Sequence, residues 1–411
     1  MDATTPDHTS MSKLNREDNF AAVVPALAPT MISSSIKRKL IAAQFRIHDI
    51  SLLMKHVSKE DSLPKMIKKV RALRQLFYGT KSIRKLALVN GKYYWTHHCP
   101  GWPSAAYKAC MHNEINRLVS HPKEAIKPYI AFFAITKKCP LACEHCFEWD
   151  NLNKREKLSL SDIMHVVHIL QQQGVTQVLF SGGEPMLRVH DMVEVLKMAR
   201  PVTDFWVFTS GYNFTPENAR LLKDAGLTGV SVSLDHYLEQ AHNAFRHLDN
   251  AYQLAISAVT EAQKVGLVVS LALCATKDFV TEDNLMQYAG LAKKLGVAFI
   301  QVLEPREVGH YRGKDVALNE NQLQLLSNFY EKLNLHPAYA DWPIVVLHGY
   351  HQRRAGCTGA GNRFLYIDTD GDLHACPFCQ TKSGSLLTDS YEEGISHLRS
   401  KGCHVFSNAV Q

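Results

Sequence analysis

From about residue 129 onward, short apolar runs alternate with longer stretches whose apolar residues recur every three or four positions. The short runs read as buried strands near 129–136, 176–181, 203–209, 228–234, 267–274 and 297–303. The longer stretches read as amphipathic helices near 160–173, 190–200, 216–225, 249–265 and 283–294. Six strand–helix repeats predict an α/β fold with a parallel sheet and right-handed crossovers. The repeats occupy about 175 residues, too few for a closed eight-fold barrel of roughly 250. After about residue 305 the pattern gives way to a loop, a helix over 320–334 and a cysteine- and glycine-rich tail.

Upstream, two helical patterns run from Lys37 to His56 and from Pro64 to Tyr78. Leu40, Ile47, Ile50 and Met54 share one face of the first. Pro64 suits the start of the second and Gly79 its end. Asn90-Gly91 separates two strand-like runs, Leu86–Val89 and Lys92–Trp95, and predicts a hairpin. A turn-rich loop, Cys99–Pro103, leads into a helix from Ala105 to Val119. The Thr-, Ser-, Pro- and Ala-rich residues 1–35 read as a disordered leader. Pro25 and Pro29 break Ala21–Ile32, which does not read as a signal peptide. Four segments result: 1–35, 36–125, 126–305 and 306–411.

The chain has 411 residues and a formal charge of +7. Lys37 to Lys85 holds fourteen Lys or Arg against three Asp or Glu, so the remainder is mildly acidic. Such a region suits an anionic partner, whether membrane surface, acidic peptide or nucleic acid, or it is simply a solvated helical face. No apolar run approaches the ~20 residues of a membrane span. Ten cysteines without a secretion signal fit a reducing compartment and metal binding. The expected location is cytoplasmic, or peripheral to a membrane if the basic region touches one.

Cys139, Cys143 and Cys146 form a C-x3-C-x2-C run directly after the first predicted strand. Three thiolates in one loop can converge on a metal centre. An odd number argues against disulfides, and structural zinc more often uses paired C-x2-4-C elements. A four-iron cube on three cysteines keeps one iron open for chemistry. The second strand ends in Phe180-Ser181-Gly182-Gly183-Glu184-Pro185, and the third in Thr209-Ser210-Gly211. The fourth ends in Val230-Ser231-Val232-Ser233-Leu234-Asp235-His236, followed by His242-Asn243-Ala244-Phe245-Arg246.

These elements, in this order, resemble the radical S-adenosylmethionine (SAM) superfamily, whose core is a (β/α)6 partial TIM barrel. The resemblance implies a [4Fe–4S] cluster on Cys139, Cys143 and Cys146, with SAM chelating the open iron. Gly182, Gly183, Glu184 and Pro185 match the motif that holds the methionine amino group. Thr209 and Ser210 match a ribose or methionine contact. Ser233 and Arg246, with Asp235 in the same stretch, match the SAM-carboxylate site, and Phe147 and Trp149 would lie near adenine or cluster. The implied reaction is reductive cleavage of SAM to a 5′-deoxyadenosyl radical, which takes a hydrogen atom from the substrate.

Near the C-terminus, Cys357, Cys376 and Cys379 flank a predicted Asp370-Gly371 hairpin turn, and Cys403 follows. This spacing resembles the SPASM/Twitch extension and implies one auxiliary [4Fe–4S] cluster. Structural zinc on the same four cysteines is the competing reading. Cys274 ends the fifth strand, as a hydrogen donor to a product radical or as a buried apolar residue. Glu304, Arg306, Glu307, His310 and Tyr311 are placed to line a substrate site. The implied partners are a reductant such as ferredoxin or flavodoxin and a peptide or small-molecule substrate, with no specific nucleic acid. Peptide maturation, or C–H oxidation or epimerisation, leads. Small-metabolite or lipid biosynthesis is the alternative, and a non-catalytic metal-binding interaction protein is the reading from another class. Two basic helices before a hairpin differ from the three strands then three helices of the leader-binding domains in peptide-modifying SPASM enzymes.

Overall fold

In the computed structural model, residues 28–33, 35–78, 85–120, 126–403 and 405–406 are described. Most of the expected leader, residues 1–27, and the helix stop at Gly79 lie outside them. Within the leader segment, β1 (Thr30–Ile32) is a strand, paired antiparallel with β2 (Leu86–Val89). Between them run α1 (Ser35–Met54) and α2 (Leu63–Tyr78). Asn90 and Gly91, both at positive φ, turn β2 into β3 (Lys92–Tyr94), as the Asn-Gly pair predicts. α3 (Ala105–Asn116) follows, capped by the Ser104 hydroxyl.

The alternating region then forms β4 (Ile130–Ala134), α4 (Leu160–Gln172), β5 (Gln177–Ser181), α5 (Val189–Met198), β6 (Asp204–Thr209), α6 (Pro216–Ala225) and β7 (Gly229–Ser233). Next come α7 (Glu239–Arg246), α8 (Ala251–Lys264), β8 (Val268–Cys274), α9 (Glu282–Lys294) and β9 (Phe299–Leu303). Each strand is an apolar run buried on both faces, and helices of period 3.6 cover the outside. Beyond them lie α10 (Glu320–Leu335), β10 (Ile344–Leu347), α11 (His348–Ala355), β11 (Phe364–Ile367), β12 (Leu373–His374) and α12 (Tyr391–Lys401).

The six expected strands are therefore not the whole sheet. Nine strands lie in the order β10-β9-β8-β7-β6-β5-β4-β11-β12. β10 adds parallel to β9, and β11 returns from the C-terminal region to pair parallel with β4, Phe364 opposite Ile130. Only β12 is antiparallel, across the turn at Gly371. The strand–helix run thus continues past residue 305, and the cysteine-rich tail is hydrogen-bonded into the barrel sheet.

The N-terminal sheet stoppers the barrel. Ala87, Val89 and Tyr94 pack on Ile130, Trp206, Val268, Phe299 and Ile344, at or near the strands' N-terminal ends. The ligand-bearing loops are thereby left to the opposite, C-terminal ends. Lys85, at the close of the basic stretch, is no surface charge. It is buried, with Nζ within hydrogen-bond reach of the carbonyls of Leu333, Tyr339, Trp342 and Pro343. An apolar residue there would take this donor from the carbonyls of Leu333, Trp342 and Pro343, each at a cost of about 1–3 kcal/mol, while Tyr339 O keeps its bond from Trp342 N.

Candidate active site

The cysteine loop leaves β4 and is fixed from below by β5. Gly183 N donates to Thr136 O at 2.7 Å, and Glu184 N to Lys138 O at 2.8 Å. A Cβ on Gly183 would stand 2.3 Å from Lys138 O and 3.1 Å from Cys139 Cβ. The expected reason for the glycine pair was close approach to a ligand; the structure adds close approach of two protein backbones. Asn153 ties the loop laterally, accepting from Cys139 N at 3.1 Å and donating to Cys139 O at 3.0 Å. From above, Gly309, at φ +56°, sits where a Cβ would stand 2.2 Å from Cys146 O. His310 N then donates to Cys146 O at 3.0 Å, and His310 Nδ1 lies 3.0 Å from Cys143 O. Trp149 stacks on the His310 ring at 3.8 Å.

Behind the second cysteine stands a buried ion pair. Arg246 Nε reaches Asp235 Oδ2 at 2.6 Å, and its Nη1 lies 3.5 Å from Cys143 Sγ. Asp235 Oδ1 accepts from Cys274 N at 2.9 Å, and Asp235 N donates to His242 Nδ1 at 3.0 Å. Burial pushes the Asp235 carboxyl up, but the Arg246 charge overrides it and holds the group below its usual range. Arg246, assigned by resemblance to the SAM carboxylate, thus has donors on Asp235 and on a cysteine sulfur. Ser233 lines the same cavity.

Glu184 is fully buried. Its Oε1 accepts from Thr209 Oγ1 at 2.7 Å and Met186 N at 3.1 Å, and its Oε2 from Ser210 N at 2.8 Å and Ser210 Oγ at 2.6 Å. Thr209 and Ser210, expected as direct ligand contacts, here orient the carboxylate. Pro185, itself buried, opens the turn that follows. Burial raises the Glu184 pKa, and the Ser210 and Thr209 hydrogen bonds act against that rise.

The four C-terminal cysteines come together. The Cys376 and Cys379 thiols hydrogen-bond each other, as do those of Cys357 and Cys403. Phe147 joins the two cysteine groups, packing edge-on against Tyr366 of β11 at 6.0 Å and Phe378 at 6.2 Å. Tyr366 donates to Glu148, and Lys137 Nζ meets Asp370 Oδ1 of the hairpin turn at 2.7 Å. Glu148, Tyr366, Lys137 and Gly309 escaped the sequence reading because their partners lie more than 160 residues away, with no local pattern to mark them.

Both cysteine groups line one cavity of about 830 Å³. Glu184, Ser233, Arg246, Cys274, Glu304, Arg306, Glu307 and Tyr311 also line it, with Val70, Leu73, Arg74 and Phe77 of α2. Glu304 is held by Arg353 at 2.7 Å. Cys274 is buried, which raises its pKa.

The donor set suits an iron–sulfur cluster. Burial pushes the Cys139 and Cys146 thiols up to about 12, so positively charged iron is what would favour thiolates there. Among the described residues no three His, Cys, Asp or Glu converge as a single metal ion requires. A cube asks for less convergence, since each thiolate meets a different iron.

Residues 133–291 match the Radical SAM superfamily family model. That segment is a radical SAM domain. Enzymes of this superfamily use a [4Fe–4S] cluster and SAM. A GTP 3′,8-cyclase of Sulfurovum sp. (strain NBC37-1) is 25% identical over 272 residues, 62% of this chain and 75% of its own. Mycofactocin maturase MftC of Mycolicibacterium smegmatis is 27% identical over 288 residues, 64% of this chain and 68% of its own. The crystal structure of Streptococcus suis SuiB bound to precursor peptide SuiA superposes with a TM-score of 0.52 at 14% identity, covering 69% of this chain and 68% of SuiB. At that identity the likeness is one of fold. Among the described residues, no helix is long and apolar enough to cross a membrane.

Its cavity also carries a pH-sensitive group. His348 opens α11 inside the protein, its ring 4.6 Å from that of His98, and burial pushes its imidazole down to about 4. The unfolded chain takes up a proton near pH 6.5, before the native state does. The stability this group contributes is full above about pH 6.5 and is lost as the pH falls toward about 4. Between pH 7 and pH 5 the loss attributable to His348 amounts to about 2 kcal/mol. In urea unfolding, His348→Gln should show a shallower decline over that range than the parent. Equal slopes would contradict a neutral, half-buried His348.

Proposed function

We propose that this radical SAM enzyme carries out a two-electron oxidation at a substrate C–H, using an auxiliary [4Fe–4S] cluster on Cys357, Cys376, Cys379 and Cys403. One observation carries the reading: both cysteine groups line the same cavity. When bound at Cys139, Cys143 and Cys146, the first cluster and SAM supply the 5′-deoxyadenosyl radical. Loss of one hydrogen atom leaves the substrate with an odd electron. Completing the oxidation releases a further electron and a proton, and a second cluster would supply the electron acceptor. Epimerisation returns a hydrogen atom and needs no such acceptor; Cys274 in the cavity wall is the residue that would serve it.

The chain's own residues do the positioning. Arg246 sets positive charge beside Cys143, and Asp235 fixes the guanidinium. Glu184, held by four donors, offers carboxylate charge to the methionine ammonium of SAM, and Ser233 lies along the same wall. Phe147 and the Gly309–Tyr311 turn cover the cysteine loop and exclude water. A cavity of this size suits a small molecule or one side chain of a peptide. A low-potential reductant such as reduced ferredoxin or flavodoxin would deliver the first electron in a cytoplasmic setting.

The test is anaerobic turnover with SAM, reduced flavodoxin, and extracts or peptides from the source cell. The account expects 5′-deoxyadenosine together with a product two mass units lighter than its substrate. A product of unchanged mass would overturn oxidation in favour of epimerisation.

A further inference from the structure

The helix α1 carries two apolar faces. One is packed inward: Phe45 lies 4.6 Å from the Trp102 ring and 5.5 Å from Trp95, and Leu52 and Leu53 cluster with Met66 and Ile115. The other is exposed. Ile36, Leu40, Ile47 and Met54 are 73, 64, 70 and 62% accessible, and Ile50 and Ala43 are exposed with them. The spacing 36-40-43-47-50-54 keeps them on one stripe along a helix of 20 residues. Periodicity groups Leu40, Ile47, Ile50 and Met54 on one helical face; the structure leaves that face exposed and puts a different set, including Ile41, Phe45, Leu52 and Leu53, inward.

An apolar stripe at this spacing suits either a second helix or an apolar medium. The flanks decide between them. At ~100° per residue, Lys39 and Arg46 border the stripe on one side and Lys37 on the other, and Lys55 directly follows the helix. The helix has a single acidic residue, Asp49, which lies 3.4 Å from His48 and within 3.5 Å of the Tyr107 hydroxyl on the packed side. A second copy of this helix would set these cations against one another. A plane of anionic headgroups satisfies both flanks, with the lysine and arginine stems lying along the apolar surface.

We propose that α1 docks this enzyme on an anionic phospholipid surface, its exposed stripe entering the boundary of the acyl region and its basic borders meeting lipid phosphates. The docked helix stands behind the wall of the active site. It packs on α2, whose Val70, Leu73 and Phe77 line the cavity.

Flotation of the full-length protein with vesicles tests the proposal. Vesicles of phosphatidylcholine with about 30% phosphatidylglycerol should carry the protein, and pure phosphatidylcholine should carry at least about tenfold less at 0.1 M salt. The double variant Leu40→Ser, Ile47→Ser should lose at least about tenfold in partitioning with an unchanged melting temperature, since neither side chain is packed. Arg46→Glu with Lys39→Glu should abolish the preference for anionic lipid. Three results would overturn the proposal: no flotation with anionic vesicles, a dimer in sedimentation that the double serine variant dissolves, or flotation only after deletion of residues 1–27. The second would assign the stripe to another copy, and the third to the chain's own N-terminal segment.

Discussion

Replacing Cys143 with alanine abolishes 5′-deoxyadenosine formation, down to the background of SAM with reductant alone. Cys143 is the buried member of the three, and Arg246 Nη1 points at its sulfur from 3.5 Å. Its loop is held by hydrogen bonds that do not involve the thiol: Gly183 and Glu184 to Thr136 and Lys138, Asn153 to Cys139, and His310 to Cys146. The fold should therefore survive the substitution while two thiolates are left to hold a cube. Arg246→Gln makes a graded companion. It leaves all three cysteines and removes the charge beside them, and loss of such a supporting partner typically costs about 10–100-fold. Chromatography of 5′-deoxyadenosine reads both. Persistent cleavage in Cys143→Ala would reject the site.

Replacing Cys376 with alanine removes about half of the bound iron, leaves SAM cleavage in place and stops oxidised product from forming. The free Cys376 thiol hydrogen-bonds Cys379, and that of Cys357 hydrogen-bonds Cys403, so four sulfurs already stand as two neighbouring couples. Phe378, between the first two, packs against Phe147 of the other loop and keeps the groups in register. Uncoupled cleavage without product is the signature of a lost electron acceptor. Unchanged iron with loss of zinc would instead make this group a structural zinc site.

Much of the barrel was legible because its strands are unbroken apolar runs and its helices repeat every 3.6 residues. β5, for example, falls within a residue of its predicted limits. β10 and the pairing of β11 with β4 were not legible. Ile344–Leu347 is only four residues, and parallel pairing across more than 200 residues leaves no local trace. The cysteines and the Gly-Gly-Glu-Pro turn were readable from spacing. Which of their neighbours touch them was not, and Thr209 and Ser210 turned out to grip Glu184. Periodicity alone also misleads on α1, where both faces are apolar and only packing separates the inward one from the exposed one.

Iron and acid-labile sulfide per chain, measured after anaerobic reconstitution, test the central claim most directly. About eight irons and eight sulfides per chain would match two four-iron clusters, one on each cysteine group. About four irons, with or without one zinc, would contradict the second cluster and with it the oxidation assigned to the shared cavity.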